Sequence, residues 1–574
     1  MTTYWHYLTL TADQQAIRDQ LSKDLGISPS LTQLLAQRGI ATFEEARQFF
    51  RPDLSQLHDP FLMKDMDKAV ERLNQALGKK EKILVYGDYD VDGTTAVSLV
   101  YKYLQQFTSN IDYYLPDRYT EGYGVSYKGI DYAADNGFNL VIVLDCGIKA
   151  VEKVAYAKER GIDFIICDHH NPDAVLPDAV AVLDPKRLDS TYPYHDLSGC
   201  GVGFKLMQAF SINNGIDVAG LYQLLDYVSV SIASDIVPIT GENRVLAYFG
   251  LKKLNSTPSL GLKSIINVCG LADKEITISD IVFKIGPRIN ASGRIQSARD
   301  AVDLLVTNDE AVAQMKSGLI NEYNETRKDL DKSITDEASS LLDSITDLSD
   351  RKSIVVYDKE WHKGVIGIVA SRLSELYYRP AVVLTQSNGL ATGSARSVPG
   401  FDIYKAIDSC RDLLENFGGH TYAAGLSMKE ANVEKFMLRF EEYVAANILP
   451  EQLQPQIDIE AVIPFKEITP KFFRILKQFS PFGPENMKPV FCTKRVFDYG
   501  TSRLVGKDQE HLKMELVDSS SENVMNGIAF RKWEFNDDLK ALNPLDICYT
   551  LEENNFNGNN SIQLLIKEIR LSNM

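Results

Sequence analysis

The chain has 574 residues, 44% of them hydrophobic and 24% charged, with a net charge of −17. That length is too great for one core, so three or four domains are expected. The acidic balance excludes a protein that coats nucleic acid through a broad basic surface, though not an enzyme with a local basic channel whose metal ions add positive charge. The N-terminus, Met1 to His6, has no basic stretch followed by an apolar one, so no signal peptide is expected. No apolar run nears the roughly 18 residues of a membrane helix. Seven scattered cysteines without a CxxC pair point to a reducing cytoplasm.

Residues 1–75 read as a mostly helical region, with Leu31, Leu34, Leu35 and Ile40 at helical spacing. From Lys82 to about Pro238 the pattern is α/β. Apolar runs at 82–86, 140–144, 163–167 and 179–183 alternate with stretches long enough for crossover helices, which predicts a parallel sheet. Each run ends in chemistry. The first leads to Asp88, Asp90 and Asp92, the second to Asp145, the third to Asp168-His169-His170, and the fourth to Asp184. Ligands of open parallel sheets bind at the carboxyl edge, so these side chains are expected to converge there. Ser234-Asp235 places one more acid.

Acids at alternate positions, as in Gly87-Asp88-Tyr89-Asp90-Val91-Asp92-Gly93, repel one another and call for a cation. A calcium EF-hand opens in the same way, but its twelfth loop position must be Glu. Here it is Leu99, and a strand pattern rather than a helix precedes Asp88. An oxygen-rich set with one imidazole favours Mn²⁺ or Mg²⁺ over structural zinc. Two ions sharing an acid would activate water and clamp the oxygens of an in-line phosphoryl displacement. Neighbouring side chains of an extended segment diverge, so His169 is read as a ligand. His170, with Asp168, is assigned to the outer shell or to the reacting phosphate. No Walker A loop is visible.

Further along, Pro116–Gly124 is a Gly-rich turn containing Arg118, and Leu197–Gly203 carries small residues suited to tight helix entry. Gly286–Arg294 reads as a structured loop whose Arg288, Asn290 and Arg294 could hold phosphate. Residues 301–349 read as a long, charged connecting helix. A second α/β unit spans 350–448. Its Ser394 and Arg396 offer a hydroxyl and a guanidinium, and Gly418-Gly419-His420 is an open turn able to present N–H groups to an anion. After a linker at 449–455, short alternating segments predict a β-barrel over 455–574, with an OB-fold as the leading choice. Lys507, His511 and Lys513, with Phe530, Arg531 and Trp533, are its candidate nucleic-acid contacts. Aromatics in so small a barrel can equally be core.

The motifs at Gly87–Gly93, Asp145-Cys146-Gly147, Asp168-His169-His170 and Ser234-Asp235 resemble, in order and spacing, the four signatures of the DHH phosphoesterase superfamily. The resemblance implies a two-metal phosphoesterase using Mn²⁺ or Mg²⁺. Asp90 and Asp92 match its first-motif ligands, Asp145 the bridging ligand, His169 the imidazole and Asp235 the last carboxylate. Some members have a His where Tyr86 stands, so Asp88 could substitute. Residues 116–124, 197–203, 286–294 and 505–513 resemble a single-strand-specific exonuclease subgroup, and 350–448 resembles the DHH-associated domain that holds the substrate end. The implied architecture is α/β: a parallel-sheet DHH domain (76–300), the connecting helix (301–349), the smaller associated domain (350–448) and a C-terminal OB-fold. The implied activity is 5′→3′ hydrolysis of single-stranded DNA to 5′-mononucleotides in recombination and repair, beside a helicase and a single-strand-binding protein and with no membrane attachment. Two alternatives stay open. A phosphodiesterase for cyclic dinucleotides or short oligoribonucleotides should lack the barrel, and a non-catalytic nucleic-acid-binding relative should lack metal ligands.

Overall fold

A computed structural model describes residues 3–344, 350–556 and 559–572. The N-terminal region opens with a strand that the helical reading missed, Tyr4–Tyr7 (β1). Helices Ala12–Leu25 (α1), Pro29–Gln37 (α2) and Phe43–Phe50 (α3) follow. Thr11 and Thr42 cap α1 and α3 through reciprocal capping boxes with Gln14 and Glu45.

The next sheet is five-stranded and wholly parallel: Ile83–Gly87 (β2), Ile111–Tyr114 (β3), Leu140–Leu144 (β4), Asp163–Cys167 (β5) and Ala181–Leu183 (β6), in the order β3-β2-β4-β5-β6. β3 has no counterpart among the predicted runs; Ile111-Asp112-Tyr113-Tyr114 is short and interrupted by a charge. The central strands read as unbroken apolar runs because both faces are covered. Ile83, Val85, Leu140, Ile142 and Ile165 enter one core, while Leu84, Tyr86, Val141, Val143 and Phe164 enter the other. Helices Val91–Leu104 (α4), Gly199–Asn213 (α5), Leu225–Ser234 (α6) and Gly241–Leu254 (α7) complete most of the larger core. Gly286–Ile295 (α8) is a helix, not the loop expected there. It continues from a π-helical stretch at Ile281–Ile285, so Pro287 sits near its start, where a missing N–H costs nothing.

The connecting helix is Glu310–Asp343 (α9), preceded by the separate helix Arg299–Val306. Positions 345–349 of the predicted connection lie outside the described residues. The second lobe has strands Ile354–Tyr357 (β7), Ala381–Ser387 (β8), Leu390–Arg396 (β9), Leu414–His420 (β10) and Ala423–Met428 (β11), ordered β10-β11-β9-β8-β7. Only the β7–β8 pairing is parallel. Helix Ile366–Tyr377 (α10) packs on this sheet.

Within the expected linker, Pro450–Leu453 forms a short 3₁₀ turn. Strands Gln456–Ile459 (β12) and Ala461–Val462 (β13) follow, then helix Pro470–Lys477 (α11). Phe491–Asp498 (β14), Arg503–Val505 (β15), His511–Asp518 (β16), Ser521–Ala529 (β17), Leu545–Phe556 (β18) and Asn559–Leu571 (β19) come next. The order β14-β18-β19-β17-β16 closes through β14–β16 into a five-stranded barrel. β1 pairs in parallel with β12. Leu21, Leu31, Leu34, Leu35 and Ala46 share one core with Phe465, Phe479, Phe491 and Tyr549. The N-terminal helices are therefore part of the barrel's core.

Arg244 on α7 locks these parts together. It is buried without an acidic partner, and its guanidinium donates to the carbonyls of Phe49, Gln478, Phe479, Ser480 and Pro481 while lying 3.8 Å over the Phe49 ring. Arg244→Met would keep the bulk and strand five carbonyls. Each bond to a charged group is worth about 1.5–3 kcal/mol, so a net loss of about 3 kcal/mol is expected, read as a lower urea midpoint for unfolding.

Candidate metal centre and substrate cleft

The parallel register builds the site. Gly87, Leu144 and Cys167 end β2, β4 and β5 in one row, so the residues that follow, Asp88, Asp145 and Asp168, stand at three adjacent strand ends. His169 is buried among carboxylates. Its Nε2 lies 3.1 Å from Asp145 Oδ1, 3.5 Å from Asp235 Oδ2 and 3.8 Å from Asp92 Oδ2. Asp92, His169 and Asp235 could hold one ion, and Asp145, His169 and His170 another.

One of these acids is held by backbone N–H groups, and another by an unusual backbone conformation. Asp92 accepts the N–H groups of Gly199 and Cys200 at 2.7 and 2.8 Å, from the start of α5, and the Ser231 hydroxyl at 2.7 Å. A helix N-terminus suits an anion. Gly199 is required here, since a Cβ would stand 2.5 Å from Asp145 Cβ. The small residues at 197–203 thus do more than ease helix entry. Asp145 has a φ of 60°, a conformation few non-glycine residues adopt.

Burial and mutual repulsion push these carboxyls toward their protonated forms. Burial, then Asp90, raises Asp88 to about 8 and Asp92 to about 6. Burial, then Asp92 and Asp90, holds Asp145 and Asp235 well above the ordinary range. Burial, then His170, lowers His169 to about 3, which keeps its ring neutral and able to ligate.

Asp168 has another role. Its Oδ2 accepts the Ile148 N–H, and its Oδ1 accepts the His169 and His170 N–H groups and His170 Nδ1–H at 2.7 Å. Burial works to raise Asp168, but the bond from His170, the charges of His170 and His169 and the Ile148 N–H together outweigh it and hold the acid at about 2. At His170 burial works to lower the ring, and the Asp168 bond with the charges of Asp168, Asp235 and Asp92 together outweigh it and raise it to about 9. Asp168 thus orients the part-exposed His170 ring. Asp90 caps α4 by accepting the Gly93 N–H at 3.0 Å. Asp88 accepts the Gly124 N–H and keeps Oδ2 buried without a hydrogen-bond partner. Neither Asp88 nor Asp90 joins the two compact groups above. Tyr86 points into the core and gives its hydroxyl proton to the Gly124 carbonyl.

The donor set fits divalent cations. Neither ring nitrogen of His169 makes an aligned hydrogen bond, and the Asp88 oxygen is orphaned. Buried polar atoms without partners are costly unless something coordinates them.

Between the lobes, Arg118 stacks 4.2 Å over the Tyr89 ring and keeps Nε buried and unpartnered. Arg294 donates to the Gly364 carbonyl across the cleft at 2.9 Å. Asn290 keeps a buried, unpartnered Oδ1 and lines a cavity of 180 Å³ with Ser234, Arg294 and Arg327. Arg288 does not face this space: its guanidinium is spent on Asn321 and the Lys284 carbonyl. Ser394 and Arg396 end β9, with Arg396 donating to Ser394 Oγ at 3.0 Å. Gly418, Gly419 and His420 lie in β10, so the expected open turn is a strand. Gly419 still needs to be glycine, with φ 151° and no room for a Cβ beside Ala423 and Ala424. Burial, then Arg396 and His170, lowers His420, and its Nδ1 accepts the Tyr422 N–H.

On the barrel, Lys507 lies in the turn after β15, while His511 and Lys513 lie on β16. Phe530 packs edge-on to His511 at 5.0 Å. Phe530 and Trp533 are 55% and 60% exposed, so they are surface rather than core. Arg503 pairs across from Lys513 and extends this basic strip. Arg503, Arg327 and the Gly199–Cys200 amides escaped the sequence reading. A Ser-Gly-Cys-Gly helix start was the visible signal for the last.

Residues 82–232 match the DHH family, N-terminal domain; residues 350–446 match the DHHA1 domain; residues 459–568 match the RecJ OB domain. The single-stranded-DNA-specific exonuclease RecJ of Bacillus subtilis (strain 168) is 36% identical over 563 residues, 98% of this chain and 70% of the relative. The crystal structure of Thermus thermophilus RecJ with Mn²⁺ superimposes with a TM-score of 0.84 at 27% identity, covering 100% of this chain and 80% of that one. Its Mg²⁺ complex gives 0.79 at 26%, covering 100% and 79%.

The raised carboxyls have a consequence for pH. Without metal the folded state holds these protons more tightly than the unfolded chain does. That stabilisation is complete below pH about 4 and is lost as pH rises through about 6 (Asp92) and about 8 (Asp88). A divalent cation replaces the protons. Thermal melts should therefore show more stabilisation by Mn²⁺ at pH 8 than at pH 6.

Proposed function

The chain belongs to the RecJ family of single-stranded-DNA-specific exonucleases, and on that premise we propose that it removes 5′-mononucleotides stepwise from the 5′ end of single-stranded DNA. The observation that carries this reading is His169, buried with unpaired nitrogens among Asp92, Asp145 and Asp235, beside a cleft walled by a second lobe. Asp92, Asp145, His169 and Asp235 would hold Mn²⁺ or Mg²⁺, with Asp88 and Asp90 at the margin. When bound, the ions supply Lewis-acid charge and an activated water. His169 is common to both groups, and Asp145, whose Oδ1 lies 3.1 Å from His169 Nε2, is the candidate shared ligand by its match to the bridging position of the DHH signature.

The remaining chemistry belongs to side chains. Ser394, Arg396 and His420, with the Gly418-Gly419 backbone, receive the terminal phosphate. Arg118, Asn290 and Arg294 line the cleft between that end and the metal centre. Water oxygen bonds to the second phosphate in line while the bond to the 3′-oxygen of the terminal nucleotide breaks. His170, backed by Asp168 and protonated at neutral pH, donates toward the phosphoryl group or the departing 3′-oxygen. The shortened strand again begins with a 5′-phosphate, so each turnover restores the starting end. The basic strip Arg503, Lys507, His511 and Lys513, with exposed Phe530 and Trp533, guides the strand by charge and stacking. A closed barrel argues against an enzyme limited to cyclic dinucleotides, and a full ligand set against a non-catalytic relative.

Among the described residues no helix is long and apolar enough to cross a membrane. Work in the cytoplasm in recombination and repair, beside a helicase and a single-strand-binding protein, belongs to the same proposal.

Three measurements test it. Mn²⁺-dependent digestion of end-labelled oligonucleotides should release mononucleotide at once from a 5′ label and only late from a 3′ label, with duplex spared. Asp145→Ala should cost more than about 100-fold in turnover, since even outer partners of a metal are worth about 10–100-fold, while strand binding persists. Replacing Lys507 and Lys513 with Ala should slow long oligonucleotides more than dinucleotides. It should also flatten the salt dependence of binding by about 1.4 in log–log slope, at about 0.7 per charge.

A further inference from the structure

Asp235 differs from the other ligands in how it is held. Asp145 and His169 follow strands of the parallel sheet, and Asp92 is gripped by two amides and a hydroxyl. Asp235 comes directly after α6. Among the described residues its carboxylate accepts no hydrogen bond, and it lies 3.5 Å from His169 Nε2. The next residue, Ile236, has a φ of 59° and is 63% exposed. A β-branched side chain is disfavoured in the left-handed region, and an exposed one gains no packing there. Such a joint persists only where its surroundings fix both ends. α6 fixes one of them.

The other end is fixed from the barrel. Ile239, fully buried, donates its N–H to the Pro484 carbonyl at 2.8 Å. Pro484 belongs to the turn at 480–487, between α11 and β14. Gly483 and Asn486 close this turn by exchanging backbone bonds of 3.0 and 2.9 Å. Gly483 lies so near Ile239 that a Cβ would stand 2.5 Å from Ile239 Cγ1. The turn itself is held from three sides. The buried Asn486 amide donates to the Phe479 and Pro481 carbonyls, both at 2.8 Å. Arg38, just after α2, donates to Asn486 Oδ1 and to the Met487 carbonyl. Arg244 on α7 donates to the carbonyls of 478–481. Barrel, N-terminal helices and α7 thus converge on a turn that touches the chain four residues beyond Asp235.

The geometry points to Gly483 and Pro484 as positioning residues of the metal centre: seated on Ile239, they hold the chain at 237–239 and through it set Asp235 beside His169. This rests on the metal-binding part of the reading given above. The barrel then serves the centre as well as the strand.

The test is Gly483→Ala in the full chain, which displaces Ile239 without altering any ligand. Mn²⁺ binding is read without substrate, from the electron paramagnetic resonance signal of the free ion. Asp235 belongs to the group with Asp92 and His169 and not to the group of Asp145, His169 and His170. One ion should therefore bind about tenfold more weakly, the low end for loss of an outer partner, and the other as in wild type. Ile239→Val, a milder loosening, should weaken the same ion by less. Gly527→Ala is the control: its Cβ would crowd Ile566 in the barrel, 2.9 Å from Cδ1, and both ions should keep wild-type affinity even where the melting temperature falls. With Mn²⁺ below saturation, Gly483→Ala should slow a dinucleotide as much as a long strand, unlike the lysine replacements above. Unchanged Mn²⁺ binding, equal weakening of both ions, the same weakening in Gly527→Ala, or a loss confined to long strands would each overturn the inference. If one ion weakens as expected but wild type releases nothing from a 5′ end, the proposed polarity fails and the role of the turn stands.

Discussion

Four carboxylates that want to be apart are held together at one sheet edge. Asp88, Asp92, Asp145 and Asp235 are raised by burial and by one another, and no lysine or arginine forms a salt bridge with any of them among the ion pairs of the described residues. The surroundings make this tolerable. Amide groups at the start of α5 bear on Asp92, Gly124 bears on Asp88, and Asp145 takes a left-handed backbone. The fold supplies the positions, and a bound cation supplies the missing charge.

The histidine pair divides the labour through burial. His169 is enclosed, neutral and turned toward acids, while His170 is part-exposed and charged through Asp168. One residue of separation at the end of an extended strand is enough to send the two rings into different environments. That single step gives one residue type two environments, on which the proposed roles of ligand and proton donor rest.

The catalytic sheet was legible because it is parallel and buried on both faces. Leu140–Leu144 and Asp163–Cys167 stand out as apolar runs, and the acids at their ends mark the edge. β3 was not legible, since Asp112 breaks its pattern. Gly286–Arg294 read as a loop because its glycines and proline suggest turns, yet Pro287 lies where a helix accepts proline. Gly418-Gly419 read as a turn for a similar reason, whereas tight packing against β11 explains the glycine at 419. Arg288 looked like a phosphate contact by type, and only tertiary structure shows Asn321 and the Lys284 carbonyl occupying its fork. Local propensity gives way where the partner is distant in sequence.

The pairing of β1 with β12, and the shared core of α1–α3 with the barrel, have a consequence for how the chain is made. The first fifty residues leave the ribosome roughly four hundred residues before the strands that cover them. At roughly 5–20 residues per second that delay is on the order of a minute. Through it, Leu31, Leu34 and Leu35 lack the barrel side of their core and have only α1 and α3 to pack on, while the two central lobes can already form from local segments. The nascent protein therefore passes through a state with a finished catalytic centre and an uncovered apolar helical face, a natural client for a chaperone that holds such faces until synthesis ends.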